Sequence, residues 1–250
     1  MTETFLVLLA GGVMLAAAIS DPREVTVNWL RLAGIIALAL TSLSLYFYSR
    51  RSQTIEWGWW LYGILSVTIL LHIWDPEPWT KNSNGHPRSP AAMALLAAVL
   101  FGNLLTLGKP SIVGLISSFG IAAMSGLALM DMLLGHAYLT ASKMTMRPFV
   151  RLHLSLAVIT LIRALCAIGI TMILLQRRPI ELFWDRFGLF VITRWLVGLV
   201  IPGVFVYMAY DCIKRRATQS ATGILYVAGI LIFIGEIISL YLLRETRLPF

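Results

Sequence analysis

Four charged side chains lie deep within apolar runs of the sequence: Asp131, Arg163, Arg194 and Glu236. A charge at the centre of a bilayer costs about 2.5–3.5 kcal/mol or more on insertion scales, so an unpaired charge is not expected there without a reason. The usual reasons are a buried binding site, a path for protons or ions, and an internal ion pair. These four residues are therefore the first candidates for function.

Arg194 and Glu236 fall at similar depths in two consecutive apolar runs. Counted along the helix from the same side of the membrane, each lies about 10–12 Å deep. Because a short connection joins the two runs, we expect their side chains to form a salt bridge or to share one water. Arg163 lies near the middle of the preceding run, and we place it in the same network. This network is either a proton path or an internal ion pair that fixes the bundle.

A second group of polar residues lies toward the opposite side of the membrane. Asp131 and His136 come late in one apolar run, and His153 comes early in the next, so two imidazoles are expected at similar depth on neighbouring helices. Two imidazoles so placed are typical axial ligands of a b-type haem. They also suit hydrogen bonding to a quinone, with Asp131 exchanging its protons. Tyr138 belongs to the same candidate cofactor site.

We predict that His136 and His153 both face the bundle interior or a cavity, within reach of one shared ligand, water cluster or carboxylate. The alternative is that each histidine anchors the chain at the surface by bonding to headgroups or loop carbonyls. No spacing of residues predicts a metal site, and the sequence lacks a P-loop, GxGxxG, GxSxG and HExxH. Catalytic residues therefore stay unassigned, and we expect no catalysis by this chain alone.

The composition is that of an integral membrane protein. Of 250 residues, 58% are hydrophobic and 13% are charged, and the mean hydropathy is +0.82, whereas a soluble domain carries about 25% charged residues. The net charge of +8 comes from basic residues in short loops beside apolar runs. That placement is typical of membrane-surface anchors, so we expect lipid and no nucleic acid as a partner.

Eight apolar runs are long enough to cross a bilayer, which takes about 20 residues. Backbone groups inside lipid must be hydrogen-bonded internally, and this predicts helices. The sequence thus predicts an all-α polytopic bundle, a single integral membrane domain over residues 1–250, with spans at 3–20, 27–49, 56–75, 91–107, 110–139, 150–176, 187–211 and 221–243. Basic residues divide almost equally between the two sides, so the orientation in the membrane stays open.

The fourth and fifth spans carry small residues at every fourth position. Such a stripe lies on one helical face and lets two backbones approach closely. The stripes consist of Ala94, Ala98 and Gly102 in one span and of Gly114, Ser118, Ala122 and Gly126 in the next. We predict that they pack on each other or on a partner subunit. Cys166 and Cys212 have no CxxC spacing and are predicted to be packing residues.

Two segments resemble a family of bacterial multi-pass membrane proteins of undefined function. They are Leu134-Gly135-His136-Ala137-Tyr138-Leu139-Thr140 and Thr218-Gln219-Ser220-Ala221-Thr222-Gly223-Ile224-Leu225-Tyr226, the latter followed by Gly235-Glu236. The resemblance implies that function lies in these segments. We also expect the chain to reside in a bacterial inner (cytoplasmic) membrane. The layout of eight helices with buried Arg, Asp, Glu and His is also similar to quinol-interacting anchor subunits of bacterial respiratory complexes.

Three functions remain open at this point. The first is an integral membrane subunit of a respiratory-type electron-transfer complex, which interacts with quinone or haem, conducts protons and depends on partner subunits for catalysis. The second is a small transporter or ion-conducting protein whose buried charges line a water-filled path. The third is a structural or assembly subunit with no chemistry of its own.

Overall fold

A computed structural model describes residues 1–20, 24–25, 27–51, 56–74, 89–140, 145–176 and 180–250 of the chain. Across these ranges every regular element is helical, which confirms the predicted all-α class. The helices are α1 (Thr2–Ile19), α2 (Val27–Ser49), α3 (Glu56–Trp74), α4 (Ser89–Leu107), α5 (Ile112–Thr140), α6 (Arg147–Leu175), α7 (Ile180–Trp195), α8 (Ile201–Lys214) and α9 (Thr218–Thr246).

The described part of the chain contains eight helical stretches that are long and apolar enough to cross a membrane. Seven of them are single helices, and the seventh span in chain order joins α7 to α8 over Phe183–Lys214. This confirms the predicted multi-pass membrane architecture and its number of spans. We call the side on which α1 begins the first face and the side on which it ends the second face.

In one half of the bundle α1 is central and packs against α2, α4 and α5. Glycine permits its close approach to α5: a Cβ added at Gly12 would lie 1.8 Å from the carbonyl oxygen of Ala122, and one at Gly126 would lie 2.0 Å from the carbonyl carbon of Gly12. A Cβ added at Gly11 would lie 2.5 Å from that of Ala98 on α4. Ala98, Ala122 and Gly126 of the two stripes therefore pack on α1, whereas Gly114 lies against Asn103 and Leu107 of α4. The prediction that the stripes pack on each other or on a partner subunit holds in part at Gly114, and it did not include α1.

The other half of the bundle consists of α5 to α9. Helix α5 contacts α6 and α9, helix α9 contacts α7 and α8, and α6 contacts α8. These helices enclose the buried charged groups that the sequence singled out. Helices α2 and α3 pack on each other, and α3 also packs on α4, so they complete the side of the bundle around α1.

The seventh span changes its winding between α7 and α8, over Leu196–Val200, which form a π-helical turn. Pro202 has no N–H, so the carbonyl of Gly198, four residues earlier, lacks its usual helical donor. At the same level the span touches α9, where a Cβ added at Gly235 would lie 2.2 Å from the Cα of Gly198. The irregular turn and the backbone contact thus coincide, and π turns are frequent at functional sites.

The chain turns back into the bundle after α9. Arg247 has a φ of 61°, in the left-handed region, and its Nη1 donates to the main-chain oxygen of Leu107 at 3.2 Å. The ring of Phe250 is then completely buried, in a cluster that includes Phe187, Val191 and Leu242. We call residues 247–250 the tail.

Candidate functional site

Two arginines and one glutamate form a buried triad between α6, α7 and α9. Nη2 of Arg194 lies 2.9 Å from Oε1 of Glu236, and Nη2 of Arg163 lies 2.7 Å from Oε2 of the same carboxylate. The side chains of Arg194 and Glu236 are fully buried, and that of Arg163 is 4% exposed. The predicted Arg194–Glu236 contact is confirmed, and Arg163 joins it directly.

Further hydrogen bonds hold Arg163 within the triad. Its Nε donates to Oε1 of Glu236 at 3.4 Å, and its Nη2 also donates to Oγ of Ser239 at 2.8 Å and to the main-chain oxygen of Phe250 at 2.9 Å. The hydroxyl of Ser239 donates to that same Phe250 oxygen. The tail therefore supplies part of the surroundings of a charge that lies in the middle of α6.

The second arginine bonds to the irregular turn of the seventh span. Nη1 of Arg194 donates to the carbonyl oxygen of Gly198 at 3.4 Å, the oxygen that residue 202 would bond in a regular α-helix if it were not proline. Among the described residues, Nε of Arg194 has no hydrogen-bond partner. The triad therefore stabilises an irregular backbone and ties three spans together. Removing the carboxylate would leave two buried cations unpaired, which costs about 3–5 kcal/mol in comparable cases.

A second buried contact lies nearer the second face, between α5 and α6. Nδ1 of His153 lies 2.7 Å from Oδ2 of Asp131, and both side chains are fully buried. Nε2 of His153 lies 2.9 Å from the main-chain oxygen of Val206 on α8. We call Asp131 and His153 the Asp–His pair. Its depth below the start of α6 is about 9 Å, since His153 follows the first residue of that helix by six positions.

The geometry fixes where the protons of the Asp–His pair lie. A carbonyl oxygen can only accept a hydrogen bond, so Nε2 of His153 must carry a proton and donate it to Val206. One further proton then lies between Nδ1 of His153 and Oδ2 of Asp131, on one atom or the other. The pair is neutral overall in both arrangements, and moving the proton between them requires no change in position.

The other carboxyl oxygen of Asp131 is unusual. Its Oδ1 is buried and has no hydrogen-bond partner among the described residues. A buried polar atom without a partner costs about 1–3 kcal/mol, and such atoms in native proteins frequently mark a redox or catalytic role or a bound water. The Asp–His pair thus differs from a structural ion pair in which every polar atom is hydrogen-bonded.

An apolar groove of about 540 Å³ lies beside the Asp–His pair, between α6 and α8. Its lining includes Val206, whose carbonyl accepts from His153, and Tyr210, whose ring stacks on His153 with centroids 6.2 Å apart and planes 9° apart. The groove opens on the outer surface of the bundle, where Leu161 and Tyr207 are largely exposed. We call it the α6–α8 groove.

The structure does not bring His136 to the same place. We predicted that both imidazoles face the bundle interior or a cavity. His153 is fully buried, but His136 is exposed and does not face the interior. The reason is helical geometry: five residues after Asp131 the side chain has turned by about 140° from it. Seven residues bring Tyr138 back to the buried face, where it stacks on Phe149 and donates to the main-chain oxygen of Thr145.

The described residues do not fit the bis-histidine haem that the sequence left open. Both ring nitrogens of His153 already make hydrogen bonds, so neither is available to an iron without breaking one. His136 is exposed, and Nε2 of His72 lies 3.1 Å from the main-chain oxygen of Leu30. Within the described ranges no three His, Cys, Asp or Glu side chains come together as a metal site.

The two segments that carry the family resemblance touch each other. A Cβ added at Gly135 would lie 2.8 Å from Oγ1 of Thr222 and 3.1 Å from the ring of Phe149. Gly135 therefore allows α5 and α9 to approach closely, one turn beyond Asp131. The two segments thus join the helices that carry Asp131 and Glu236.

Sequence reasoning missed several residues of both sites. Val206 and Phe250 contribute main-chain oxygens, which carry no signal in a sequence. Ser239 is buried and Tyr210 is half-buried, and only their spacing along the helix could have pointed to them. Pro202 was the available signal for the irregular turn, because a mid-span proline frees a carbonyl that a buried donor can satisfy.

Comparison of the chain with models of protein families, with curated proteins and with solved structures found no match. The resemblance of residues 134–140 and 218–226 to a bacterial membrane protein family therefore stays a prediction.

Proposed function

We propose that this chain is an integral membrane subunit of a respiratory-type electron-transfer complex in a bacterial inner membrane. In this proposal it binds a quinone in the α6–α8 groove and exchanges protons there through the Asp–His pair. The observation that carries the proposal is a buried carboxyl–imidazole contact, joined through Val206 and Tyr210 to a groove on the bundle surface.

The groove has the character of a site for a lipid-soluble ring compound. Its volume of about 540 Å³ lies within the range of about 300–1,000 Å³ usual for ligand pockets. Its lining is apolar apart from the hydroxyls of Thr160, Tyr207 and Tyr210. The Thr160 hydroxyl already donates to the carbonyl of Leu156, so the two tyrosines are the donors that would hold quinone oxygens.

The residues of this chain would supply protons and orientation. A bound quinone supplies a two-electron, two-proton couple, whose electrons the proposal draws from a redox centre of a partner subunit. Tyr210 lies between the groove and the imidazole, against which it stacks. His153 and Asp131 hold one shared proton a short distance behind it. Burial keeps bulk water from this proton and leaves its exchange to the groove.

Two groove-lining glycines provide a matched test. A Cβ at Gly203, in the α6–α8 groove, or at Gly169, on α6 outside that groove, meets no atom within 4 Å. Gly203→Leu should therefore fill the groove without displacing the bundle, and we expect it to weaken quinone binding by at least about tenfold. Gly169→Leu should bind as the wild type does. The measurement is titration of the purified protein with a short-chain quinone, followed by quinone extraction.

Equal binding by the wild type and both leucine variants would contradict this proposal. Asp131→Asn separates binding from proton exchange, because the asparagine amide can still donate to Nδ1 of His153. This variant should bind quinone normally and lose quinone-dependent turnover in the assembled complex.

A second function is favoured by the interrupted seventh span. Transporters often place buried charges beside broken helices, and here Arg194 lies at a π turn against Glu236. Uptake of a solute or ion by proteoliposomes that is lost in Glu236→Asp would support transport. That variant keeps the negative charge between the two arginines, so a folded but inactive protein would point to transport instead of electron transfer.

A further inference from the structure

A second groove, of about 370 Å³, lies between α5 and α6, on another side of α6 from the α6–α8 groove. Most of its lining is apolar and includes Ile116, Phe119, Ile162 and Ile170. Two polar side chains also line it, Arg163 of the triad and Ser117 of α5. We call it the α5–α6 groove.

The guanidinium of Arg163 has a free edge toward this groove. Its Nε and Nη2 make all of the contacts with Glu236, Ser239 and Phe250, whereas Nη1 has no acceptor among the described residues. Gly120 allows the side chain to lie against α5, since a Cβ added there would lie 2.8 Å from Cδ and 3.1 Å from Nη1 of Arg163. The free edge therefore lies at the groove wall formed by Gly120 and its neighbours.

Ser117 supplies an independent sign of a missing ligand. It lies one helical turn from Gly120 on α5, is 1% exposed, and its Oγ has no hydrogen-bond partner among the described residues. Serine hydroxyls inside spans usually donate to the carbonyl four residues earlier, as Ser125 does to Ile121. The buried hydroxyl of Ser117 does not, although it lines the groove.

The charges indicate what kind of ligand these donors would take. Nη1 of Arg163 can only donate a hydrogen bond and the hydroxyl of Ser117 can also donate one, so a ligand there would offer acceptor oxygens. Cationic side chains outnumber carboxylates in the triad, two guanidiniums to one carboxylate, and a guanidinium binds a charged acceptor more strongly than a neutral one. We infer that the α5–α6 groove binds a long-chain fatty acid, with its carboxylate on Nη1 of Arg163 and on Ser117. The acyl chain lies along the isoleucines of α5 and α6.

The test uses a photoactivatable fatty acid with a diazirine in its chain and the purified protein in nanodiscs. We expect cross-links to map by mass spectrometry to residues 116–120 and 159–173, and palmitate to displace them. The uncharged methyl ester of the same probe should label at least about fivefold less, because it lacks the anion that pairs with Arg163.

Three variants sharpen this test. Gly169→Leu places a side chain in the groove, where its Cβ meets no atom within 4 Å, and should remove most labelling. Ser117→Ala should reduce labelling severalfold without affecting the triad. Gly203→Leu, in the α6–α8 groove, should label as the wild type does.

Three results would overturn the inference. The first is equal labelling by the acid and its methyl ester. The second is equal labelling of the two leucine variants. The third is displacement of the probe by phosphatidylcholine as effectively as by palmitate, which would make the groove an ordinary contact for bilayer lipid.

Discussion

The triad near the middle of α6 and the Asp–His pair near the second face differ in how completely the oxygens of their carboxyl groups are hydrogen-bonded. Both oxygens of Glu236 accept from an arginine, and main-chain and hydroxyl oxygens take up further donors of Arg163 and Arg194. In the Asp–His pair, one oxygen of Asp131 has no partner among the described residues, and the other lies 2.7 Å from Nδ1 of His153.

The surroundings of the two clusters also differ, since one is closely packed and the other lies beside a groove. The triad lies where Gly198 and Gly235 bring two spans into backbone contact, so a change of its charges must disturb the packing of the bundle. The Asp–His pair lies behind Tyr210 and Val206, at a groove that opens outward. Charge in the first cluster is therefore tied to helix packing, whereas charge in the second lies beside an open groove.

The largest effect is expected for Glu236→Gln. It leaves two buried guanidiniums without their carboxylate, so the free energy of unfolding should fall by about 3–5 kcal/mol. Glu245→Gln, at an exposed position on the same helix, is the control and should change stability by less than about 0.5 kcal/mol. Thermal unfolding in detergent measures both. Equal melting temperatures would mean that the triad does not hold the bundle.

A smaller loss is expected for Gly235→Ala. The added Cβ would lie 2.2 Å from the Cα of Gly198, so the two spans must separate, at a cost of about 1–3 kcal/mol. Gly229→Ala lies on the same helix and meets only Sδ of Met132 at 4.0 Å. It should be neutral or slightly stabilising. If both variants unfold at the same temperature, the backbone contact is not needed for the fold.

Asp131→Asn should affect stability less again. The asparagine amide can donate to Nδ1 of His153 and leave the bond from Nε2 to Val206 in place, so we expect a loss of about 1 kcal/mol. Turnover that requires proton exchange should nevertheless fall at least tenfold. If Asp131→Asn lowers the free energy of unfolding as much as Glu236→Gln does, the two clusters do not differ in their contribution to stability.

The smallest effect is expected for His136→Ala. The side chain is exposed, and exposed substitutions usually change stability by less than about 0.5 kcal/mol. Quinone binding and turnover should also be unchanged. If this variant folds but loses quinone binding or turnover, His136 belongs to the functional site in spite of its exposed position.

The sequence predicts the bundle well because length and hydropathy decide which segments span a membrane. The Arg194–Glu236 contact also follows from the sequence, since depth along two adjacent helices suffices to match the residues. Rotation about the helix axis is less easily judged, and this is where the prediction for His136 failed. The 100° turn per residue places Tyr138, and not His136, on the face of Asp131.

Other features could not be predicted from composition or spacing. The return of Phe250 to Arg163 follows from a left-handed turn at Arg247, and no hydropathy pattern marks such a turn. The packing of α4 and α5 on α1 depends on Gly11 and Gly12, adjacent glycines that do not form a stripe. Main-chain acceptors such as Val206 are equally invisible in a sequence.

The central claim is that Asp131 and His153 share a proton that exchanges when quinone binds. Infrared difference spectroscopy of the purified protein, with and without quinone, tests it directly. We expect a carboxyl band that shifts in D₂O, is present in wild type and in Gly169→Leu, and disappears in Asp131→Asn and in Gly203→Leu. A difference spectrum without a carboxyl band, or one that Asp131→Asn leaves unchanged, would contradict the account.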